Sequence, residues 1–430
     1  MNKLKNLLFK SPTSKNAMWL VGGKVLQMLL GLVVSLLTAR YLGPSNYGII
    51  NYAGAYINFF TALCTLGINS VIVKEFIDKK ENDGVILGTS MLLKAISSFL
   101  SIIMIMTIVF VLDFGETETI IVVALSSLSV LFNILETINY WFQSKLQSKY
   151  TAIATFVGFF ITILYRILLL VTHQSIYLFA LINSVDCLIV GILLIIFYKK
   201  NAGDKFGFSR SYAKKIFSKS KHFILPALMV SIYAQTDKVM LKQMISDLEI
   251  GYYSTALAIC NMWCFVLTAI IDSFYPSIME HFNAGRYESY EKRNKQLYAI
   301  IFYVSLTVSI ILCVFAPIIV NILYGSEYAG AAAPLRVVTW YTGFSYLGVA
   351  RNAWMVCEDK QRYLIWTYVA SAFINIVINI TLIPIMGAVG AALASLITQM
   401  LTTLIVPLFI KPLRANIFLM FDAILLRKIK

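Results

Sequence analysis

Residues 230–244 read VSIYAQTDKVMLKQM. Asp237 and Lys238 stand side by side among apolar neighbours, and Lys242 follows one turn later. What such a helix does depends on the rest of the chain. Of the 430 residues, 59% are hydrophobic and 13% charged, and the mean hydropathy is +0.78. So few charges do not cover the surface of a soluble protein of this length. Apolar runs of about 20 residues recur from end to end, which defines an all-α polytopic membrane protein. A β-barrel would show short alternating strands instead. In that setting a charge at the centre of a membrane helix costs at least about 2.5–3.5 kcal/mol, so residues 237, 238 and 242 must face something other than lipid.

Working outward, twelve spans are expected at 16–39, 46–72, 85–112, 120–142, 151–172, 176–198, 223–245, 252–275, 297–320, 334–357, 364–384 and 387–410. The N-terminus turns apolar from Ala17, in a run too long for a signal-peptide core, and reads as the first span. The net charge of +15 then resolves into a topology signal. Of the 36 Lys and Arg, 28 fall in segments on one side of these spans and Arg40 alone falls in a loop on the other. That asymmetry places both termini in the cytoplasm and points the charge at anionic lipid rather than at nucleic acid. The domain reading is a six-helix lobe over 1–198, a basic interfacial linker over 199–222, a second six-helix lobe over 223–410 and an interfacial tail over 411–430. Phe206, Phe208, Tyr212 and Phe217 alternate with lysines in the linker, as in an amphipathic segment lying on the inner surface and joining the lobes. All six cysteines lie in apolar runs and read as buried thiols.

The second and eighth spans repeat at an offset of 203 residues. Gly48 falls on Gly251, Asn51 on Ser254, Asn58 on Asn261, Thr65 on Thr268 and Asn69 on Asp272. Six spans separate the copies, so both run in the same direction, as in a parallel repeat about the membrane normal. Each copy carries one polar stripe, and two more spans do likewise: Lys24, Gln27, Gly31, Ser35 and Thr38 in the first, Ser231, Gln235, Lys238 and Lys242 in the seventh. Lipid offers no hydrogen bonds, so such faces point at protein or at water. Interhelical bonding accounts for many Asn, Ser and Thr, but a lysine needs water or a counter-charge. Lys242 lies near the outer end, where a lysine snorkels. Asp237 sits about 100° from Lys238 on the helix; it faces away from that stripe, either in a lateral bond or as a proton or sodium site. Lys94 with Glu136, and Arg166 with Asp186, are at matching depths and suit ion pairs. Arg336, Arg351 and Asp272 complete the embedded set, seven cations against four anions. The surplus suits a water-filled cavity for a substrate with several negative charges, phosphate above all.

Six stretches in order resemble the Wzx-type oligosaccharide flippases: LLTARYLGPSNYGIINYA (36–53), LGINSVIVKEF (66–76), QTDKVML (235–241), IGYYSTA (250–256), LYGSEYAGAAAPLRVV (323–338) and INIVINITLIPIMGAVGAALAS (374–395). The resemblance covers nearly the whole chain. It implies two six-helix lobes related by a two-fold along the membrane normal around a central cavity, worked by alternating access in a bacterial cytoplasmic membrane. It also implies a substrate of oligosaccharide linked by diphosphate to undecaprenol, for O-antigen or capsule assembly. Cavity cations would hold the diphosphate, an H+ or Na+ gradient would drive transport, and a polysaccharide polymerase and chain-length proteins would be partners. Lys24, Lys238, Arg351, Arg336, Gln27, Gln235, Asn58 and Asn261 are the expected cavity residues. Asp237, Asp272, Lys94, Glu136, Arg166 and Asp186 are the expected coupling or pairing residues. An enzyme such as a polymerase or glycosyltransferase is disfavoured: the outer loops are too short for a site, His173, His222 and His281 lack zinc spacing, and no phosphate loop is present, so no cofactor is implied. A multidrug exporter of the same fold would take organic cations, which a cationic cavity repels. A lipid-II flippase usually has two more spans, and a structural or receptor protein has no use for duplicated polar stripes.

Overall fold

The computed structural model describes residues 12–78, 81–201 and 203–427, with side chains from Gln27 onward, Leu29 excepted. Every regular element among them is helical. The helical run Pro12–Cys64 is broken at Gly43, giving α1 (12–42) and α2 (44–64). Then come α3 (Asp83–Leu112), α4 (Thr117–Ser144), α5 (Ser148–Val171) and α6 (Ile182–Lys200). After a linker helix, Arg210–Ser220, follow α7 (Ile224–Met244), α8 (Asp247–Asn283), α9 (Tyr287–Tyr324) and α10 (Ala332–Cys357). The last long run is broken at Gly387 into α11 (364–386) and α12 (388–409), and a tail helix, Arg414–Ile424, ends the described chain. The twelve expected segments lie largely on helix, but 46–72 runs beyond the end of α2 at Cys64 into a turn, and 176–198 is broken at Leu181. At Gly43 φ is +71°, which glycine tolerates, and Pro44 presets the first turn of α2.

Seven helices are long and apolar enough to cross a membrane, by length and composition. α7 and α10 are not among these. They carry Asp237, Lys238 and Lys242, and Arg336 and Arg351. A helix lining a polar interior is not apolar all round, as the embedded charges of α7 and α10 lead one to expect.

Three apolar cores hold the helices. One lies at the end away from the lysine-rich segments and draws on both halves of the chain: Tyr52, Val109, Val122 and Phe179 pack in it with Leu241, Tyr253, Tyr328 and Ile383. At the basic end there are two. Ile68, Leu87, Phe142 and Leu194 form a core of first-half residues with the linker's Tyr212 and Ile216. Leu267, Tyr298, Leu347 and Trp354 form a core of second-half residues with Ile417 and Met420 of the tail helix. The halves therefore share a core at the far end and keep separate cores at the basic end.

At the far end α2 crosses α8 backbone to backbone. A Cβ on Gly48 would lie 2.0 Å from the Asp247 carbonyl oxygen, and one on Gly251 would lie 2.0 Å from the Pro44 carbonyl oxygen. Asp247 follows Pro44 by the same 203 residues that separate Gly251 from Gly48. The contact is thus reciprocal, the pattern a two-fold relation produces.

The linker helix is seated on the first half rather than between the halves. Lys219 and Lys215 reach the buried Glu75, the second at 3.6 Å. The Ser209 amide donates to Thr89 Oγ1 at 3.1 Å, and the Gly207 amide to the Gly84 carbonyl at 3.0 Å. Phe206 and Phe208 remain exposed, as an interfacial segment requires. The tail helix packs on α9 through Lys295–Asp422 (2.9 Å) and an Asn416–Tyr298 hydrogen bond (2.7 Å). All six cysteines are free thiols.

Candidate functional site

Between the halves, on the basic side of the Gly48–Gly251 crossing, lies a cavity of about 350 Å3. Tyr47 and Asn51 of α2 form its first-half wall; Gln235, Asp237 and Lys238 of α7 and Ser254 and Asn261 of α8 form most of the other. Lys238 is half-buried and, among the described residues, makes no hydrogen bond or ion pair. The buried Gln235 Oε1 also lacks a partner. The cavity thus presents an ammonium without a hydrogen bond or ion pair among the described residues and two buried unpartnered oxygens, Gln235 Oε1 and Ser254 Oγ.

Asp237 is held differently. It is 4% exposed and accepts from Tyr253 Oη (2.5 Å), Ser395 Oγ (2.5 Å) and Asn379 Nδ2 (2.6 Å). Asn379 also donates to Asn375 Oδ1 at 3.0 Å. Three other helices therefore converge on this carboxylate: α8, α11 and α12. It lines the same cavity as Lys238, so the expectation that it faces away is corrected; α12 and α8 wrap round to bring it into the wall. Lateral bonding is present, with neutral donors in place of a counter-charge.

Two side chambers adjoin. One, of about 280 Å3, lies within the second half and contains Arg351; it shares Tyr233, Ala234 and Tyr341 with the central cavity. The other, of about 150 Å3, lies within the first half and contains Arg166; it shares Tyr47 and Asn51. Arg166 and Asp186 are not within ion-pair distance: Asp186 accepts from Thr162 Oγ1 at 3.0 Å, and Arg166 Nε is buried without a partner. Nor do Lys94 and Glu136 form an ion pair. Lys94 Nζ donates to Asn69 Oδ1 (2.6 Å) and Thr137 Oγ1 (2.9 Å), because the 3-10 turn Ile68–Ser70 after α2 supplies an amide oxygen within reach. Neither expected ion pair forms: Lys94 is bonded to neutral oxygens, and Asp186 to a neutral donor.

Other expected cavity residues lie elsewhere. Arg336, Asn58 and Asp272 are exposed and line none of these three cavities. Gln27 is half-buried on α1, also outside them. Lys24 lies on α1, and its side chain is outside those described.

Lys242 does not snorkel. It is 8% exposed and bridges the halves, with Glu116 Oε2 at 2.6 Å and Asp247 Oδ1 at 2.7 Å. Beside it Gln243 Nε2 donates to Tyr52 Oη (2.9 Å) and Asp113 Oδ1 (2.8 Å). Arg40 donates through Nε to the Leu323 carbonyl at 2.8 Å, and Tyr328 Oη donates to the Ala39 carbonyl at 2.6 Å. These bonds close the far end across the halves. Sequence reading missed them, and also missed Tyr253, Asn379 and Ser395; the Asn375–Asn379 pair at i, i+4 in an apolar helix was the available signal.

Residues 13–282 match the family model described as "Polysaccharide biosynthesis protein", and the chain belongs to that family. A capsular polysaccharide biosynthesis protein, CapF, of Staphylococcus aureus is 22% identical over 90% of this chain and 96% of its own length. An uncharacterised membrane protein of Methanocaldococcus jannaschii is 24% identical over 59% of this chain, a match spanning 51% of that relative. Among solved structures, the lipid II flippase MurJ in an inward closed conformation aligns with a TM-score of 0.71 at 14% identity, covering 95% of this chain and 91% of its own. An inward-facing multidrug resistance MATE family transporter of the MOP superfamily aligns with a TM-score of 0.68 at 12% identity, covering 92% and 96%. The chain shares its fold with these solved structures.

Proposed function

We propose that this protein is a flippase that carries oligosaccharide linked by diphosphate to undecaprenol across the bacterial cytoplasmic membrane by alternating access. The observation that carries the reading is Lys238: a membrane-depth cation with no ion pair or hydrogen bond among the described residues, in a cavity between two halves that share a core at the end away from the lysine-rich segments. The family's role in polysaccharide biosynthesis and the transporter fold support it. With the basic end in the cytoplasm, as the lysine distribution argues, the conformation is inward-open and the Lys242 and Gln243 bonds form the closed outer gate. Lysine suits a group that must be bound on one side and released on the other, because it holds phosphate as a point charge without a fixed bidentate geometry. Organic cations, the substrates of a multidrug exporter, would be repelled by the same charge.

Asp237 is the proposed coupling site. A carboxylate surrounded by Tyr, Ser and Asn groups offers hard oxygen ligands to Na+, or a proton acceptor whose hydrogen-bond donors are all neutral. The direct test is transport by the purified protein in proteoliposomes loaded with a lipid-diphosphate oligosaccharide. Movement of the oligosaccharide across the bilayer, faster with a Na+ or H+ gradient, is the expected result. No movement under any gradient would contradict the reading.

A further inference from the structure

The side chamber of the second half holds a charge the central site does not use. Arg351 is 4% exposed. Its Nη1 donates to the Thr403 carbonyl at 3.2 Å, while Nε is buried with no partner. No carboxylate lies within ion-pair distance among the described residues. The Thr403 carbonyl belongs to a π-helical turn, Leu401–Ile405, where the wider winding frees backbone oxygens from the regular ladder. Because Thr403 takes Nη1, the opposite edge of the guanidinium, Nε with Nη2, presents two parallel N–H groups, and its Nε is buried without a partner.

A buried, uncompensated guanidinium is strongly unfavourable unless an anion completes it. The chamber around it is polar and roomy: about 280 Å3, with Tyr233, Ser345, Asn352 and Tyr368 on its walls. Asn352 Oδ1 is a second buried atom without a partner. Hydroxyl and amide groups beside tyrosine rings suit a sugar, with polar edges and apolar faces. The chamber adjoins the central cavity across Tyr233 and Tyr341, which line both, so a sugar there lies beside a diphosphate at Lys238.

We propose that this chamber binds an acidic sugar of the repeat unit, with the carboxylate of a hexuronic acid bidentate on Nε and Nη2 of Arg351. The proposal rests on the transport reading above and deepens it by naming the class of oligosaccharide: one that carries a carboxylate. A planar fork fits a planar carboxylate and discriminates against a neutral hydroxymethyl group, which leaves the guanidinium unpaired.

Thermal unfolding of the purified full-length protein in detergent tests this with glucuronate, glucose and inorganic diphosphate as separate probes. Glucuronate should raise the midpoint and glucose should not. Arg351→Gln should bind glucuronate about ten- to hundredfold more weakly, the loss of a charge-assisted pair. Arg351→Lys, which keeps the charge and the fold but not the fork, should fall between. Lys238→Ala should keep the glucuronate response and lose that to diphosphate. Equal responses to glucose and glucuronate, or a glucuronate response that survives in both Arg351 variants, would overturn the inference. A diphosphate response that vanishes in Arg351→Gln would overturn it too, by assigning Arg351 to the diphosphate. A protein that answers to diphosphate through Lys238 but not to glucuronate would sink this inference and leave the transport reading standing.

Discussion

Gly48 and Gly251 lie back to back where α2 crosses α8: a Cβ on Gly48 would stand 3.1 Å from the Gly251 amide nitrogen and 2.0 Å from the Asp247 carbonyl oxygen. No side chain fits between the two backbones, so the far end closes only because both positions are glycine. Gly48→Ala should force the helices apart at a cost of about 1–3 kcal/mol, and so move the equilibrium about ten- to hundredfold towards a state open at that end. Spin labels at Glu118 and Ser326 would report it by double electron–electron resonance. The expected result is a longer distance dominating in the variant, and an unchanged distribution would contradict the reading of this crossing as a gate.

Lys242 is expected to matter, in contrast to its place at the end of the seventh span, which on sequence alone suggested a snorkelling lysine. Removing it leaves Glu116 and Asp247 without the cation they share. Glu116 is half exposed, so the loss is smaller than for a fully buried pair. Lys242→Ala should lower the unfolding midpoint by a few degrees, and Glu116→Gln by less. The pair also sets a pH dependence. The hydrogen bond from Lys242 holds the Glu116 carboxyl below its ordinary value of 4.5. A lowered carboxyl stabilises the fold above that value and loses its contribution as the pH falls beneath it. The midpoint difference between wild type and Glu116→Gln should therefore be constant from neutral pH to about 4.5 and shrink below; a difference that grows on acidification would contradict the pairing.

Asp237 separates two effects. Asp237→Asn keeps an oxygen for Tyr253 and Ser395 to donate to, so the fold should hold while the gradient dependence of transport disappears. Asp237→Ala removes the acceptor that three buried donors share and leaves them only the Tyr253–Ser395 and Asn379–Asn375 bonds; a buried group left unpaired costs about 1–3 kcal/mol, so the variant should fold poorly. Flux through Asp237→Asn that still rises with a Na+ or H+ gradient would remove Asp237 from coupling.

How much of this was legible in the sequence follows from what periodicity encodes. Hydropathy and the sorting of lysines gave the helical segments and the two ends, because lipid acts on every residue of a span. The offset of 203 residues matched Gly48 to Gly251, but not that they would touch, since a repeat specifies equivalence and not contact. The wheel angles put Gln235 and Lys238 on the polar stripe of the seventh span and Asn261 on that of the eighth, and the three do share the cavity. Arg336 and Asn58 show the limit: a polar residue in an apolar run states that lipid is a poor neighbour, not which neighbour replaces it. Lys94 found an amide and a hydroxyl in Asn69 and Thr137, where depth alone suggested Glu136. Arg351 stood out as an embedded charge, but its free Nε edge depends on a π-turn that no residue pattern announces.

The central claim is that the Lys238 ammonium is the cation that receives the substrate's diphosphate. Transport of a lipid-diphosphate oligosaccharide into proteoliposomes, compared at equal reconstituted protein, tests it most directly. Lys238→Ala should abolish transport while the unfolding midpoint stays at the wild-type value, since Lys238 bonds to nothing in the fold, and Lys238→Arg should retain part of the rate. Transport by Lys238→Ala at the wild-type rate would show that the charge is structural and that the diphosphate is held elsewhere.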